Sequence, residues 1–295
     1  MSLPYSRIHV VINPASGKNQ PILNTLNDVF HPAGVRWEVS ITHQAGDGAR
    51  QAREAAAAGA DLVAAYGGDG TQMEVANGLL GTGVPQAILP GGTGNVMAYE
   101  LGLPVQLREA AQLIVTSQKR RAIDLARMGE RVFMLRSSIG FKPETVANRE
   151  LKDKYGSLAY IQAYTKFVLH MSPTQYYARV DGEDIECKAL ICFILNAGSL
   201  GGVLGMNLPA FKEVNISDGF LDLYAITRDL EEIRSLPRQL LQIENTQAGI
   251  YHWRGKEITL KADPPQDIWV DGETAGKTPQ TATVIPQALE IVVPE

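Results

Sequence analysis

The sequence is short of cysteine and of long hydrophobic runs, and its charges almost balance. The 295 residues include only Cys187 and Cys192, which lack zinc-type spacing, so a reduced, cytoplasmic setting is expected. No stretch approaches the roughly 18 apolar residues of a membrane-spanning helix, and the N-terminus lacks a signal-peptide layout. A net charge of −5 excludes strong attraction of the whole chain to nucleic acid or to anionic lipid. Any membrane contact is therefore expected to be peripheral.

The first part of the chain alternates between strand and helix patterns. With 45% hydrophobic and 20% charged residues, it has the composition of a globular protein with a core. Strands are predicted at 8–13, 37–42, 61–66 and 85–90, and helices at 21–30, 48–59, 72–80 and 95–102. Such alternation predicts an α/β domain with a parallel sheet, whose ligands bind at the carboxyl ends of the strands.

The second part of the chain consists mostly of short strand patterns separated by turns. Strand-like runs occupy 131–138, 176–186, 188–196, 220–226, 257–262, 267–273 and 289–294, and helical patterns occupy 150–170 and 229–245. We expect a β-rich, largely antiparallel, sandwich-like second domain. A boundary near Ala126 gives domains 1–126 and 127–295, and leaves open a return of the C-terminal tail to the first domain.

Two glycine-rich segments follow predicted strands. YGGDGTQMEVANG (66–78) places three glycines around Asp69 directly before a helical pattern, and PGGTGN (90–95) repeats the arrangement after the next strand. Glycines directly before a helix let a ligand approach the backbone closely, and the free amides of the helix N-terminus can bind phosphate. A capping box between Thr71 and Glu74 is the local alternative, but it does not explain the glycines or the aspartate. In a third loop, NPASGK (13–18), Lys18 either contacts phosphate or is simply exposed, because the full P-loop spacing is missing.

These segments also carry a family resemblance. NPASGK, GGDGT, EVANG, PGGTGN, SDGFLD and VDGE, in that order, resemble the diacylglycerol kinase-like lipid kinases, a group that includes bacterial lipid kinases and sphingosine kinases and is related to NAD kinases. The resemblance covers nearly the whole chain. It implies an α/β nucleotide domain, a β-rich second domain, and ATP and magnesium in the cleft between them.

The resemblance assigns the nucleotide to residues of the first domain. It implies that the nucleotide phosphates are lined by Gly67, Gly68, Asp69, Gly70, Thr71, Gln72 and Met73, the last standing where the family usually has asparagine. Thr93 in the second glycine loop and Thr42 at a strand end would also contact ATP. Asp69 would act through magnesium or water.

The second domain would supply the general base and a structural metal site. Glu273 in VDGE (270–273) matches the group that takes the proton from the lipid hydroxyl, although Asp-Gly is also a hairpin signal and VDGE occurs again at 180–183. Asp218 matches a magnesium site completed by backbone carbonyls at Asn215 and Phe220, and such oxygen ligands suit magnesium. A plain turn at Asp218 is the alternative.

The sequence departs from the family at acidic positions that organise magnesium. Val96 and Lys142 stand where the family usually has aspartate. Losing two negative charges should weaken metal binding unless Asp69, Glu144 or Asp47 compensates. The departures leave a non-catalytic nucleotide- or lipid-binding homologue open as an alternative.

The sequence says least about which molecule accepts the phosphate. Residues 149–169 resemble a family segment whose apolar stripe could line an acyl groove or simply face the core, and the basic run 119–121 could face lipid headgroups or solvent. The leading hypothesis is an ATP- and magnesium-dependent kinase of a glycerolipid or sphingoid-type lipid at a membrane surface. An NAD kinase-like enzyme for a soluble acceptor is the alternative, and a homodimer is left open.

Overall fold

The protein forms two compact units. The computed structural model describes residues 4–17, 20–140, 171–198, 213–227 and 250–295. Unit 1 comprises Met1–Asp124, Ser199–Met206 and Pro286–Glu295, and unit 2 comprises Leu125–Gly198 and Asn207–Ile285. In the described ranges no helix is both long and apolar enough to span a membrane.

Unit 1 contains a parallel sheet. Its strands are β1 (Arg7–Ile12), β2 (Arg36–Ile41), β3 (Leu62–Gly67), β4 (Gln86–Pro90) and the last part of β16 (Gln280–Val292), in the spatial order β2-β1-β3-β4-β16. Every residue of β3 and β4 is buried, as expected for central strands covered on both faces.

Helices cover both faces of this sheet. They are α1 (Ile22–Phe30), α2 (Asp47–Ala57), α3 (Asp69–Leu79), α4 (Val96–Glu100) and α5 (Leu107–Thr116). Buried residues of α1 and α5 share a core with alternate residues of β1 and β3, while α2 packs on α3. In α1 the buried side chains Leu26, Val29 and Phe30 recur at helical spacing, which places one apolar stripe against the sheet.

Unit 2 is an antiparallel β-sandwich. Its strands are β5 (Arg120–Met128), which begins in unit 1, β6 (Arg131–Phe133), β7 (Arg136–Ile139), β8 (Thr174–Val180), β9 (Glu183–Ala189), β10 (Ile191–Leu195), β11 (Leu221–Ile226), β12 (Ile250–Gly255), β13 (Glu257–Asp263), β14 (Asp267–Val270), β15 (Glu273–Lys277) and the first part of β16. One sheet runs β16-β13-β8-β9 and the other β12-β11-β10-β7-β14-β15. Buried side chains from both sheets form one core.

The predicted fold class, a parallel α/β domain and a β-rich antiparallel domain, is confirmed. The sequence patterns did not predict α5, β5, β12 or β15, and they predicted only the last part of β16. The helical patterns predicted at 150–170 and 229–245 lie outside the described residues.

Candidate active site

Loops of unit 1 gather at the carboxyl edge of its parallel sheet. Residues 13–17 follow β1, Thr42 follows β2, Gly68 follows β3 and residues 91–95 follow β4. Since parallel strands share one direction, these segments lie at the same edge, where α/β sheets bind ligands. The predicted adjacency of the two glycine loops is present, because β3 and β4 are hydrogen-bonded neighbours.

The glycines let these loops pack backbone against backbone. The Gly91 amide donates to the Gly67 carbonyl at 2.9 Å. A Cβ atom on Gly92 would lie 2.6 Å from the Cα of Gly68, and one on Gly17 would lie 1.9 Å from the carbonyl oxygen of Gly91. Side chains at these positions would therefore force the three loops apart.

Two residues that the sequence analysis did not single out hold the loops in place. A Cβ on Gly91 would lie 2.8 Å from the ring of the fully buried Tyr66, whose hydroxyl accepts a hydrogen bond from Gln20 at 2.7 Å. The Asn13 backbone amide donates to the Tyr66 carbonyl, and its side-chain amide donates to the Thr71 hydroxyl at 3.0 Å. The Asn-Pro start of the first loop was the available signal for Asn13.

Gly70 differs from Gly67 because no contact within the protein requires a glycine there. A Cβ on Gly67 would lie 2.4 Å from the Thr71 hydroxyl oxygen, whereas nothing lies within 4 Å of a Cβ on Gly70. Gly70 is exposed in the first turn of α3, where backbone amides lack intrahelical acceptors and the helix dipole is positive. The space beside it is open to an anionic ligand.

Asp69 connects the starts of two helices. Its side chain is half-buried, and Oδ1 accepts a hydrogen bond from the Met97 amide of α4 at 3.2 Å. Val96, which stands where the family has an acidic residue, is buried at the first position of α4. Among the acidic positions discussed for unit 1, Asp69 is the carboxylate that lies within the glycine loops.

The structure corrects the predicted start of α3. The helix begins at Asp69 rather than directly after Thr71, the predicted cap, and no side chain caps it. The capping box predicted between Thr71 and Glu74 does not form, because the Glu74 carboxylate instead accepts hydrogen bonds from the amides of Gly46 at 3.0 Å and Gly48 at 2.9 Å. Glu74 thus stabilises the start of the neighbouring helix α2, whose orphan amides need an acceptor.

Gln72 forms hydrogen bonds within the protein through both its side chain and its backbone amide. The buried side chain donates to the Ala65 carbonyl at 2.9 Å and accepts from Gln86 at 3.0 Å, and the Gln72 amide donates to the Gly68 carbonyl. These bonds leave Gln72 a role in shaping the loop rather than in contacting a nucleotide. Met73 next to it is half-buried.

The loop after β4 is folded by Asn95. This residue has a left-handed backbone (φ 47°), and its side chain accepts from the Gly92 amide at 2.9 Å and donates to the Gly92 carbonyl at 2.8 Å. The clamp leaves Thr93 exposed at the loop tip. Thr42 is buried, and its hydroxyl lies 3.5 Å from the Ile12 carbonyl oxygen.

Asp47, considered as a compensating acidic group, is engaged by its own surroundings. Its carboxylate accepts from the amides of His43 at 2.9 Å and Gln44 at 3.2 Å, and from Arg50 at 3.0 Å. The His43 amide, followed by Arg50, lowers the pKa of Asp47 below its usual value. Asp47 therefore holds its loop together and is a poor substitute for the missing acidic residues.

The two VDGE segments form the same hairpin turn. Asp181 and Asp271 have left-handed backbones (φ 49° and 46°), and so do the glycines that follow them (φ 95° and 92°). This is the type I′ geometry favoured by Asp-Gly, so the hairpin alternative holds for both copies. The first turn joins β8 to β9, and the second joins β14 to β15.

The aspartates of the two turns differ in burial. Asp181 is exposed and accepts hydrogen bonds from the amides of residues 256–257 at 2.8–3.0 Å. Asp271 accepts from the amides of residues 134–136 at 2.9–3.4 Å, and burial raises its pKa to about 6. Both aspartates therefore fasten a neighbouring chain segment.

Glu273 opens β15 with an exposed side chain. Its Oε2 lies 2.6 Å from Nη1 of Arg131, and 69% of the side chain is accessible to solvent. An exposed ion pair contributes little to stability, so a ligand can replace it at small cost. Glu183, the corresponding residue of the first VDGE, is also exposed.

The predicted magnesium site at Asp218 is already occupied by protein groups. Asp218 Oδ1 accepts from the Phe220 amide at 3.1 Å, and Oδ2 accepts from Nη2 of Arg254. Because a guanidinium supplies positive charge at the carboxylate, these residues do not fit a magnesium ion as they stand. Among the described residues there is also no cluster of three or more His, Cys, Asp or Glu side chains suited to a metal.

Several positions raised by the sequence lie outside the described residues. They are Lys18, Lys142, Glu144 and residues 149–169.

Sequence profiles of two domain families match the chain. The diacylglycerol kinase catalytic domain matches residues 7–128. The YegS C-terminal NAD kinase beta sandwich-like domain matches residues 141–293, which is more than half of the chain.

Individual relatives agree with these profiles. A diacylglycerol kinase of Bacillus subtilis (strain 168) is 26% identical over 298 residues, covering 98% of this chain and 97% of that protein. An uncharacterised protein of Synechocystis sp. (strain ATCC 27184 / PCC 6803 / Kazusa) is 30% identical over 269 residues, 87% of this chain but only 61% of that protein. A crystal structure from Bacillus anthracis str. Sterne, of a protein provisionally assigned as a diacylglycerol kinase, has a TM-score of 0.81 at 23% identity and covers 100% of this chain and 99% of that chain. This last likeness concerns the fold.

Proposed function

The chain belongs to the diacylglycerol kinase family of lipid kinases, and from this premise we propose that it transfers the γ-phosphate of ATP to a hydroxyl group of a glycerolipid or sphingoid-type lipid. Magnesium would accompany the nucleotide, and the lipid would be reached by peripheral contact with a membrane surface.

The observation that carries this proposal is the open space at Gly70. Side chains at Gly67, Gly91 and Gly92 would collide with atoms of the protein, whereas Gly70 faces solvent at the positive end of α3. Because the missing side chain of Gly70 is not needed for packing, the space beside it is available to a phosphate chain. The neighbouring backbone amides, which have no intrahelical acceptors, can bind that chain.

In the proposed reaction, residues of unit 1 position the nucleotide. Amides at the start of α3 would bind the phosphates, and Thr93 and Thr42 would contact ATP from the neighbouring loops. Asp69 is the carboxylate suited to hold the nucleotide's magnesium, directly or through water. When bound, magnesium neutralises phosphate charge during phosphoryl transfer.

Glu273 is the proposed general base. It would accept the proton of the lipid hydroxyl as that oxygen attacks the γ-phosphorus, and ADP would leave. Its exposed side chain is free to exchange Arg131 for the hydroxyl without a large loss of stability.

A lipid-acceptor screen with labelled ATP tests the proposal. Purified protein should transfer label to diacylglycerol, phosphatidylglycerol or a related lipid in mixed micelles. Asp69→Asn should abolish transfer, although an asparagine oxygen can still accept the hydrogen bond from Met97. Asp28→Asn is the matched control, because Asp28 lies in unit 1 and forms an exposed ion pair with Arg108.

Failure of every lipid acceptor at saturating ATP and magnesium would contradict the proposal. Transfer to NAD without detergent would instead indicate a soluble acceptor. ATP binding without turnover would indicate a non-catalytic homologue.

A further inference from the structure

Arg254 is placed against the loop 215–220 by the strands that follow. The loop leads directly into β11, and β12 pairs with β11 in antiparallel register with Arg254 opposite Asp222. A side chain at this position of β12 therefore projects beside the start of β11. The contact between Arg254 and the loop follows from the sheet register.

Arg254 joins two acidic residues that lie on either side of Phe220. Its Nη2 donates to Oδ2 of Asp218, and its Nε lies 3.9 Å from Oδ1 of Asp222. Asp222 is buried and also bonds to His252 at 2.6 Å. Because Oδ1 of Asp218 accepts from the Phe220 amide, both oxygens of this carboxylate are bonded within the protein.

A second cation lies over the same part of the loop. The guanidinium carbon of Arg254 is 4.9 Å from the centre of the Phe220 ring, and Nζ of Lys256 is 5.5 Å from it. A divalent ion at Asp218 would therefore face two like charges. A guanidinium can supply both the positive charge and the directed hydrogen bonds that hold an aspartate loop.

We propose that Arg254 takes the place that the family resemblance gives to a structural magnesium ion, so that the loop 215–220 is held without metal. This inference concerns the stability of unit 2 and does not depend on the proposed kinase activity. The proposal does not concern the magnesium that would accompany the nucleotide in unit 1.

Thermal unfolding without ATP or lipid tests the inference. The wild-type Tm should be the same in excess MgCl2 and in EDTA. Arg254→Met should lower the Tm in EDTA because it leaves Asp218 without its cation. Excess MgCl2 should then raise the Tm of this variant by about 5 °C, because the freed carboxylate and the loop carbonyls can bind the ion.

Matched variants separate this effect from general destabilisation. Arg179→Met removes another Arg–Asp pair of unit 2, which joins Arg179 to Asp184 at 2.8 Å, and it should gain no response to magnesium. The double variant Asp218→Asn, Arg254→Met should lose the response shown by Arg254→Met.

Two results would overturn the inference. One is a wild-type Tm that rises with magnesium and loses this rise in Asp218→Asn. The other is an Arg254→Met protein that responds to magnesium no more than Arg179→Met. If Arg254→Met fails to fold, the wild-type Tm in MgCl2 and in EDTA still tests the inference. Arg254→Lys should fold, and its Tm should not change with magnesium. Since neither ATP nor lipid is present, failure here is distinct from failure of the kinase proposal.

Discussion

At the scale of single residues, the duplicated VDGE segments show how one motif can contain both structural and chemical positions. Valine is buried, aspartate fastens a neighbouring segment and glycine completes the turn in each copy. These three positions are therefore explained by hairpin geometry. Hairpin geometry does not explain the glutamate. Glu273 was chosen over Glu183 from the order of the motifs along the chain.

The duplication provides a control for the general base. Glu273→Gln should lower kcat by about 100-fold or more, because general-base catalysis typically contributes that much. Glu183→Gln alters the same position of the other hairpin and should leave lipid phosphorylation unchanged. Steady-state kinetics with ATP and the best lipid acceptor measures both. Equal effects of the two substitutions would remove Glu273 from its proposed role.

Gly70 allows a test in which binding and stability change in different directions. Gly70→Ala should leave the Tm unchanged or slightly raised, because the site is open and alanine favours helix by about 1 kcal/mol in a helix interior. It should raise the KM for ATP, since the new methyl group occupies space proposed for phosphate. Gly92→Ala should instead lower the Tm, because its Cβ would lie 2.6 Å from Gly68 Cα. An unchanged KM in Gly70→Ala would place the phosphates elsewhere.

At the scale of secondary-structure elements, periodicity and glycine signals predicted most of unit 1. The strands β1, β3 and β4 and the helix α1 have clear apolar patterns, and Gly59 and Gly102 mark two helix ends with positive φ. The helix α5 was missed, although Leu107, Ala110, Ala111 and Ile114 form its buried face. This face is half alanine, so its pattern is weaker than that of α1.

The contacts between elements could not be predicted from local patterns. The sequence suggested that Glu74 caps its own helix, whereas the structure uses it to hold the start of α2. The hydrogen bonds of Glu74 form because α2 packs against α3. The local sequence around Glu74 does not indicate that packing. The same reason explains why Tyr66 and Asn13 were overlooked, because their partners lie in other loops.

Close packing of α2 against α3 predicts a cost for side chains at Gly78. A Cβ there would lie 2.2 Å from the carbonyl oxygen of Ala49, so Gly78→Ala should destabilise unit 1 by about 1–3 kcal/mol despite its better helix propensity. Asn77→Ala, on the exposed side of α3, should not destabilise it. Denaturant unfolding measures both, and a Gly78→Ala protein as stable as wild type would contradict the packing argument.

At the scale of the whole molecule, residues far apart in the sequence complete one unit. Residues 286–295 belong to unit 1, and β16 adds to its sheet beside β4. The Ser117 hydroxyl donates to the Val293 carbonyl at 2.7 Å, and the Gln287 amide donates to Asp124 at 2.8 Å. Composition and periodicity identified the strand at the end of the chain but could not say which sheet it joins, because pairing depends on distant partners.

Deletion of residues 287–295 should therefore unfold the unit that carries the glycine loops. The tail buries Leu289, Ile291, Val292 and Val293. At about 1.5–3 kcal/mol for each side chain, their loss is comparable to the whole stability of a typical domain. Circular dichroism and ATP binding should both show loss of unit 1. Glu290→Gln, which removes only the exposed ion pair with Arg120, should change stability by less than about 1 kcal/mol. A truncated protein that still binds ATP would show that the glycine loops form without the last strand. The expected loss instead means that the nucleotide site forms only once residues 287–295 have joined the sheet.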